Sequence, residues 1–429
     1  MLFFYIFSMF LLHGFSPMPG ITLGYMVAIC AFFLNLATGR LAGGSGSLRL
    51  DDGIFGVVFI LGMLPLILTL SDAGLQNFYH SVWWLGVWSV AFWWVREWII
   101  GSRVQFAFIS KAAAYGSMVL SLAIIFEFLT ANTAGLYLSD FFPFSINEFP
   151  MATVLEAQLQ RPRGFTSEAG FSAIVFECLL PLSLDWVRRG SWRRMLFPAI
   201  AAPGYFLLFS GGSLLALAMA IFAFIGVGRG VVRSVVVGSV VMALLSVLAM
   251  TNEAVSTMLF EVLGRKILDF SLEENTAETF SRAEAYTLAW RIMTEQPWGI
   301  GWGGVSQAMF DNHPIFGISL RGTGLISFPL EIGGSAGVLG LIGYLIILWR
   351  KLSRLTVIDT LGARLTFVSL LWVSIHHAGV LELWFPMIWF TMALSDVLVV
   401  RAAGSNPVRW RGSAKRRSES TRSSTSRYG

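Results

Sequence analysis

Residues 159–184 read LQRPRGFTSEAGFSAIVFECLLPLSL, a short cationic segment joined directly to a long apolar one. A helix needs about 20 predominantly apolar residues to cross a bilayer, and the second half of this stretch predicts such a helix. Arg161 and Arg163 at its start are unexpected, because only 13% of the chain is charged. Their meaning depends on the side of the membrane that they face.

The composition of the chain is that of a membrane protein. Of its 429 residues, 55% are hydrophobic, including 36 Phe and 16 Trp, and the mean hydropathy is +0.70. The apolar runs are continuous and do not alternate with polar residues, as the strands of a membrane β-barrel would. Both cysteines, Cys30 and Cys178, lie in apolar runs, so we expect no disulfide and no thiolate metal site. The sequence predicts an all-α polytopic membrane protein.

Twelve spans are predicted in one transmembrane domain, residues 1–400. They lie near 1–16, 18–38, 54–70, 78–95, 104–130, 169–187, 195–210, 212–228, 231–250, 325–349, 363–380 and 383–400. Two larger outer loops, about 131–168 and 251–324, connect them. Residues 401–429 form a basic, low-complexity tail that we expect to be disordered and cytoplasmic.

The distribution of positive charge orients these spans. If the connections are assigned to alternate sides, one side with the tail holds 23 of the 30 Lys and Arg residues. Because Lys and Arg accumulate on the cytoplasmic side, both termini are predicted to be inside. The other seven are Arg161, Arg163, Arg265, Lys266, Arg282, Arg291 and Arg321. Since the basic residues lie in short loops and the tail, a membrane surface explains the net charge of +5 and we expect no nucleic-acid partner.

The outer arginines Arg161 and Arg163 are held by their neighbours. Pro162 fixes the backbone between them, and Gly164 permits a tight turn into the following helix, whose start favours anions. Guanidinium groups match phosphate oxygens, so the segment predicts a phosphate or pyrophosphate site at the outer membrane boundary, with Arg163 the first candidate. The alternative is an arginine that reaches the headgroups or pairs with a carboxylate.

Other outer residues could complete such a site. Arg321 also precedes a membrane helix and could contribute from the second loop. Glu168 begins the helix after Gly164 and is a candidate general base, with helix capping as the alternative. The segment HHAGVLELW between the last two spans holds three more candidates for contact with a sugar hydroxyl, or for interfacial hydrogen bonds: His376, His377 and Glu382.

Arg282 and Arg291 lie on a predicted outer helix, TFSRAEAYTLAWRIMTEQP. Each has a glutamate four residues away, Glu278 and Glu295, so an ion pair on the helix surface is the alternative to a substrate contact. The following GIGWGG has no strand before it, and we interpret it as a turn that folds the loop back.

Three segments resemble the superfamily of O-antigen polymerases and O-antigen ligases. RPRGFTSEAGFSA is similar to its R-x-x-G-x-x-x-E/N segment, FSRAEAYTLAWRIMTEQPWGIGWGGV to its S-R-x-x-x-W…P-x-G-x-G signature, and GLISFPLEIGGSAGVLGLIGYLIIL to its L-x-x-x-x-E-x-G-x-x-G segment. The order of the segments and the position of both outer loops fit, so the resemblance covers most of the chain.

The resemblance implies a GT-C-like polymerase or ligase architecture and a metal-independent glycosyltransferase with no cofactor. Its donor and acceptor would be undecaprenyl-pyrophosphate-linked glycans on the periplasmic face of the bacterial inner membrane. A chain-length regulator is a plausible partner of a polymerase. Arg282 falls within the signature, which strengthens it as a substrate-binding candidate.

One departure separates the two activities. Ligase-like members carry a histidine ahead of the E-x-G, where this chain has Thr323 and Gly324. The nearest histidine, His313, lies about ten residues upstream and is kept as a substrate-binding candidate. The difference favours a polymerase, with a ligase as the alternative.

A transporter or flippase of lipid-linked sugars is the alternative from another class. Transporters place charges on broken helices near the midplane and often contain an internal repeat. We find no such repeat, and the predicted helix centres are nearly free of charge. Glu127 and Glu177 are the exceptions, and neither has an evident partner in the sequence.

Overall fold

The computed structural model describes residues 23–37, 49–69, 85–86, 89–101, 105–141, 153–154, 159–160, 162–166, 169–208, 211–226, 282–302, 304–305, 327–377 and 386–405. These residues are helical apart from turns and one pair of two-residue strands. The α-helices are α1 Leu23–Ala37, α2 Leu50–Thr69, α3 Val95–Gly101, α4 Phe106–Ala134, α5 Ala169–Arg188, α6 Leu196–Leu207, α7 Gly211–Gly226, α8 Arg282–Glu295, α9 Phe328–Val357, α10 Leu361–His377 and α11 Pro386–Ser405.

Shorter elements lie between them. A π-helical segment, Ser89–Trp94, precedes α3, and 3-10 turns cover Leu138–Phe141 and Trp192–Met195. Strand β1, Thr153–Val154, pairs antiparallel with β2, Leu159–Gln160, just before the arginine segment.

The helices pack in two groups joined by α10. In one group α4 packs against α5 and α6; in the other α2 packs against α9, and α11 against the segment 89–101. Helix α10 contacts α5 and α7 on one side and α9 and α11 on the other. Close approach uses small residues: a Cβ on Gly204 of α6 would lie 2.6 Å from the Cα of Ser121 on α4. Small residues of this kind let the backbones of membrane helices approach.

Apolar side chains also cover outward faces. On α4, Leu122, Phe126 and Leu129 are exposed at the spacing of one helix face, as are Leu339 and Ile342 on α9. Such stripes are unfavourable in water and are typical of a lipid-facing surface. By length and composition, α4, α5 and α9 can cross a membrane. The helical class is thereby confirmed for these residues, and the twelve-span count stays a prediction.

Helix α9 is broken at Gly337, whose φ of 73° and ψ of −176° are not helical. A helix normally satisfies its own backbone groups, and a break within a membrane is tolerated where other protein groups bind the freed ones. The broken helix therefore needs a partner, which the loop after α8 supplies.

A buried charge cluster ties four helices together at one end of the bundle. Arg96 binds Asp52 through two hydrogen bonds of 2.6 and 2.9 Å, and Lys351 lies 2.6 Å from Asp396. Asp51 accepts hydrogen bonds from two further arginines of α9, Arg350 and Arg354. The five side chains Asp51, Asp52, Arg96, Lys351 and Asp396 are at most 4% exposed.

This cluster brings together basic residues from three connections that the charge distribution assigns to one side, those of Arg49, Arg96 and Arg350. On α9 the cluster lies about 16 residues beyond Gly334, or about 24 Å at 1.5 Å per residue. The loop that docks at Gly334 is therefore at the opposite end of the helix. The predicted division of basic residues between two sides, and which end is cytoplasmic, stay predictions.

Candidate functional site

The segment before α5 is held by a carboxylate from the interior of α4. The backbone N–H groups of Arg163 and Gly164 both donate to Glu127 Oε2 at 2.6 Å, and the N–H of Leu138 donates to Oε1 at 3.3 Å. Glu127 is 1% exposed. Hydrogen bonds from N–H groups to an ionised carboxylate are shorter and stronger than those between neutral groups. Glu127 thus fixes the peptide on both sides of the Arg163 Cα.

A second residue of α4 holds the preceding strand. The side-chain amide of Asn132 donates to the carbonyl oxygen of Gln160 at 3.2 Å and accepts the N–H of Gln160 at 2.8 Å. Pro162 is buried. Residues on both sides of Arg161 are therefore fixed, although Arg161 itself lies outside the described residues.

Gly164 is required by conformation and by space. Its φ is +66°, and a Cβ there would lie 2.9 Å from the Ile124 side chain. The carbonyl oxygen of the preceding residue, Arg163, accepts hydrogen bonds from the hydroxyls of Thr166 at 3.1 Å and Ser172 at 2.5 Å. The turn predicted at Gly164 is confirmed, and Ser172 joins it to the first turn of α5.

The half-buried Arg163 side chain is thus carried on a backbone whose N–H and C=O groups are both bound. Convergence with Arg163 stays a prediction for five other candidates, because these lie outside the described residues: Arg161, Glu168, His313, Arg321 and Glu382.

The loop after α8 docks into the break of α9. The N–H groups of Ile300 and Gly301 donate to the carbonyl oxygens of Gly334 and Ser335, both at 2.9 Å, and the N–H of Val338 donates to Pro297 at 3.0 Å. The turn therefore binds the last carbonyl groups of α9 before the break at Gly337 and the first N–H group after it. The prediction that GIGWGG folds the loop back is confirmed.

Glycines make this docking possible. Gly299 has a φ of +83°, and a Cβ there would lie 2.5 Å from the nitrogen of Gly337. A Cβ on Gly337 would lie 2.2 Å from the carbonyl oxygen of Pro297. The two segments that resemble separate superfamily motifs thus form one structural unit.

Trp302 fastens the same loop to α2. Its backbone N–H donates to Gly62 at 3.1 Å and its indole Nε1–H to Phe59 at 3.0 Å. A Cβ on Gly62 would collide with the indole, so Gly62 provides the space for it. The loop therefore contacts both halves of α9 and the middle of α2.

Helix α8 precedes this docked turn. Arg291 forms an exposed ion pair with Glu295, Nε to Oε1 at 2.7 Å. The hydrogen bond and the charge of Glu295 raise the pKa of the Arg291 guanidinium above its usual value. This geometry is the helix-surface pair that was the alternative to substrate binding. Arg282 begins α8, and its side chain is outside the described residues.

His376 and His377 end α10 and are buried, at 3% and 0% exposed. His376 Nδ1 lies 2.5 Å from Glu177 Oε1. Glu177 also accepts a hydrogen bond from Ser213, whose hydroxyl lies 2.6 Å from that of Tyr205. Glu177 has no evident partner in the sequence, and the fold supplies two because α10 and α7 bring His376 and Ser213 to it.

This burial favours the hydrogen-bonding interpretation of the two histidines over direct contact with a sugar. Phe328 lies edge-on to His377 with ring centroids 5.5 Å apart. The polar cluster of Glu177, His376, Ser213 and Tyr205 thus joins α5, α6, α7 and α10 inside the bundle.

Sequence reasoning missed the contact between Glu127 and the Arg163 segment. The available signal was a carboxylate in an otherwise apolar helix, five residues before Asn132. Its partners are 36 and 37 residues away, so no local pattern reveals them.

No protein-family model matches the chain, and no curated protein matches it.

Proposed function

We propose that the chain is a membrane glycosyltransferase that polymerises undecaprenyl-pyrophosphate-linked oligosaccharide repeat units into O-antigen or exopolysaccharide. The reaction takes place on the periplasmic face of the bacterial inner membrane, and both termini are cytoplasmic. The enzyme uses no metal, its substrates are lipid-linked glycans, and a chain-length regulator is its candidate partner.

One observation carries this proposal: the peptide that bears Arg163 is held rigidly where α5 begins. Glu127 binds its N–H, and Ser172 and Thr166 bind its carbonyl oxygen. An interior carboxylate is costly in a membrane and is retained where it has a task. Presenting a guanidinium in a fixed geometry is a task that fits a site for a lipid pyrophosphate.

The chemistry requires little besides charge and orientation. An oxygen of the acceptor hydroxyl forms a bond to the anomeric carbon of the donor while the bond from that carbon to the pyrophosphate oxygen breaks. The hydroxyl proton passes to a base, for which Glu168 is the candidate, and the electron pair leaves with the pyrophosphate. Arg163, with Arg161 and Arg321, stabilises that negative charge, and one such fixed donor is typically worth about 3 to 4 kcal/mol of barrier.

The test is Arg163→Ala in a host that lacks its own polymerase for a matching repeat unit. Loss of about 3 to 4 kcal/mol slows the reaction by roughly 10²- to 10³-fold, so long chains disappear from the glycan ladder. The matched control is Arg364→Ala, because Arg364 is an exposed arginine paired with Asp359. A normal ladder from Arg163→Ala, with normal membrane insertion, refutes the role of Arg163.

Purified protein separates the alternatives. A polymerase lengthens lipid-linked repeats without any further acceptor, whereas a ligase releases product only when its acceptor lipid is added. A transporter moves labelled repeat units across vesicle membranes without lengthening them. Either of the last two results replaces the proposed activity.

A further inference from the structure

Three aromatic rings meet where α4 begins, α5 ends and α6 begins. The Tyr115 centroid lies 5.8 Å from that of Trp186 and 5.0 Å from that of Phe197, and the last two are 4.9 Å apart. Tyr115 lies 12 residues from Glu127 along α4, or about 18 Å at 1.5 Å per residue. The rings are thus remote from the Arg163 segment.

Two cations lie over these rings. The Arg194 guanidinium carbon is 4.4 Å from the Trp186 centroid, and Nη1 donates to the Trp186 carbonyl oxygen at 3.0 Å. Lys111 Nζ lies 5.9 Å from the Tyr115 centroid. A Cβ on Gly190 would lie 2.0 Å from Arg194 Cδ, so the glycine provides space for this side chain. Cation–π contact holds both charges near the rings.

Three more arginines, Arg188, Arg189 and Arg193, lie within three residues of Trp186 or Arg194 in the chain. Arg189 is bound to Asp185, Nε to Oδ2 at 2.9 Å. Arg188 and Arg193 are exposed, and neither forms an ion pair within the described part of the chain. We name these residues the basic corner: Lys111, Arg188, Arg189, Arg193 and Arg194. In the described part of the chain, one carboxylate, that of Asp185, is paired with a cation of the corner, so five cations outnumber it and the corner attracts anions.

Apolar side chains extend outward beside these charges. Trp192 is 76% exposed, and Met195 and Leu196 are also exposed. Tryptophan is enriched at the boundary between membrane and water, where its ring contacts both headgroups and chains. A ligand that satisfies this surface carries a phosphate and an acyl chain together.

We propose that the basic corner binds the phosphate of an anionic glycerophospholipid in the adjacent leaflet. Arg188 and Arg193 contact the phosphate, Lys111 and Arg194 border it, and Trp192 packs against the upper acyl chain. Guanidinium groups pair with phosphate oxygens in a defined geometry, so this is a site for a single lipid. The inference is independent of the proposed glycosyltransferase activity.

A specific lipid-binding site and general attraction to a charged membrane respond differently to the removal of single cations. General attraction depends on the number of cations on that surface and contributes similarly for each of them. A site depends on which cation is removed. Arg193→Gln and Arg364→Gln each remove one exposed arginine, and Arg364 is already paired with Asp359.

The experiment uses the full chain in phosphatidylcholine nanodiscs with and without phosphatidylglycerol. Native mass spectrometry after release counts the phosphatidylglycerol molecules that remain bound. A hydrogen bond from an arginine to a phosphate contributes about ten-fold in affinity, so we expect Arg193→Gln to lose about ten-fold and Arg188→Gln with Arg193→Gln about 100-fold. We expect Arg364→Gln to bind as the unmodified chain does.

Thermal unfolding in phosphatidylcholine alone checks that the variants fold. We expect it to be unchanged, because both arginines are exposed. Equal losses from Arg193→Gln and Arg364→Gln overturn the proposal in favour of general attraction. Undiminished binding by the double variant overturns it as well, and so does a polyprenyl phosphate that displaces phosphatidylglycerol.

Discussion

Removing the Glu127 carboxylate should release the segment that carries Arg163. In Glu127→Ala the N–H groups of Arg163 and Gly164 lose two short hydrogen bonds of 2.6 Å each. An N–H that loses its partner costs about 1 to 3 kcal/mol where it stays buried. Because Arg163 and Gly164 are half-buried, water replaces part of each bond, and we expect a local loss of about 2 to 4 kcal/mol.

Glu127→Gln separates charge from hydrogen bonding. Its carbonyl oxygen can still accept both short bonds, but hydrogen bonds to a charged acceptor are about twice as strong as neutral ones. We therefore expect Glu127→Gln to lose about half as much as Glu127→Ala. The matched control is Asp359→Ala, which removes an exposed carboxylate paired with Arg364.

Two assays distinguish positioning from folding. Thermal unfolding in detergent reports the whole bundle, while kcat and KM for the lipid-linked donor report the site. Since the lost contacts hold a connecting segment, we expect activity to fall further than the unfolding temperature. Glu127→Ala with unchanged donor kinetics refutes the idea that this carboxylate positions Arg163.

Three further expectations concern other contacts. In Gly337→Ala, a Cβ would meet the backbone of the docked turn at a φ of +73°, so we expect the turn to detach from α9. Hydrogen exchange measured by mass spectrometry should then be faster at the amides of the turn, and unchanged exchange contradicts the docking. Arg96→Ala leaves Asp52 buried without its main partner, so we expect a loss of about 3 to 5 kcal/mol in thermal unfolding, and an unaltered midpoint would contradict the cluster. His376→Ala and Glu177→Gln should each destabilise the bundle, and the double variant should lose less than the sum of the two, because both changes remove the same buried contact; additive losses in thermal unfolding argue against coupling.

Several features of the fold followed from local pattern. The helices α1, α2, α4, α5, α6, α7, α10 and α11 begin and end within about five residues of predicted spans, because apolar runs are local properties, and α9 extends eight residues beyond its span. The turn at Gly164 and the folding back of GIGWGG were also predicted, since glycine and proline restrict the backbone wherever they occur. The break at Gly337 was not predicted, because the apolar run of α9 continues through it.

The candidate site was predictable only in part. Arg163 was identified from its neighbours in sequence, and the geometry that supports it comes from Glu127, 36 residues earlier. For Arg291 the sequence left two alternatives, a contact with substrate and an ion pair with Glu295. The ion pair is present, because side chains four residues apart lie next to each other on a helix. The two histidines were placed at the outer boundary, and the packing of α10 buries them.

The sequence by itself determined that the chain forms apolar helices and, to within several residues, where most of them begin and end. These properties depend on the solvent, because a backbone in lipid must satisfy its own hydrogen bonds and charged residues stay at the boundary. Tertiary structure alone decided which groups meet across the bundle: Glu127 with the peptide of Arg163, Glu177 with His376, and the turn after Pro297 with the break at Gly337. Such contacts depend on how helices distant in sequence pack together, and no local pattern of residues specifies that packing.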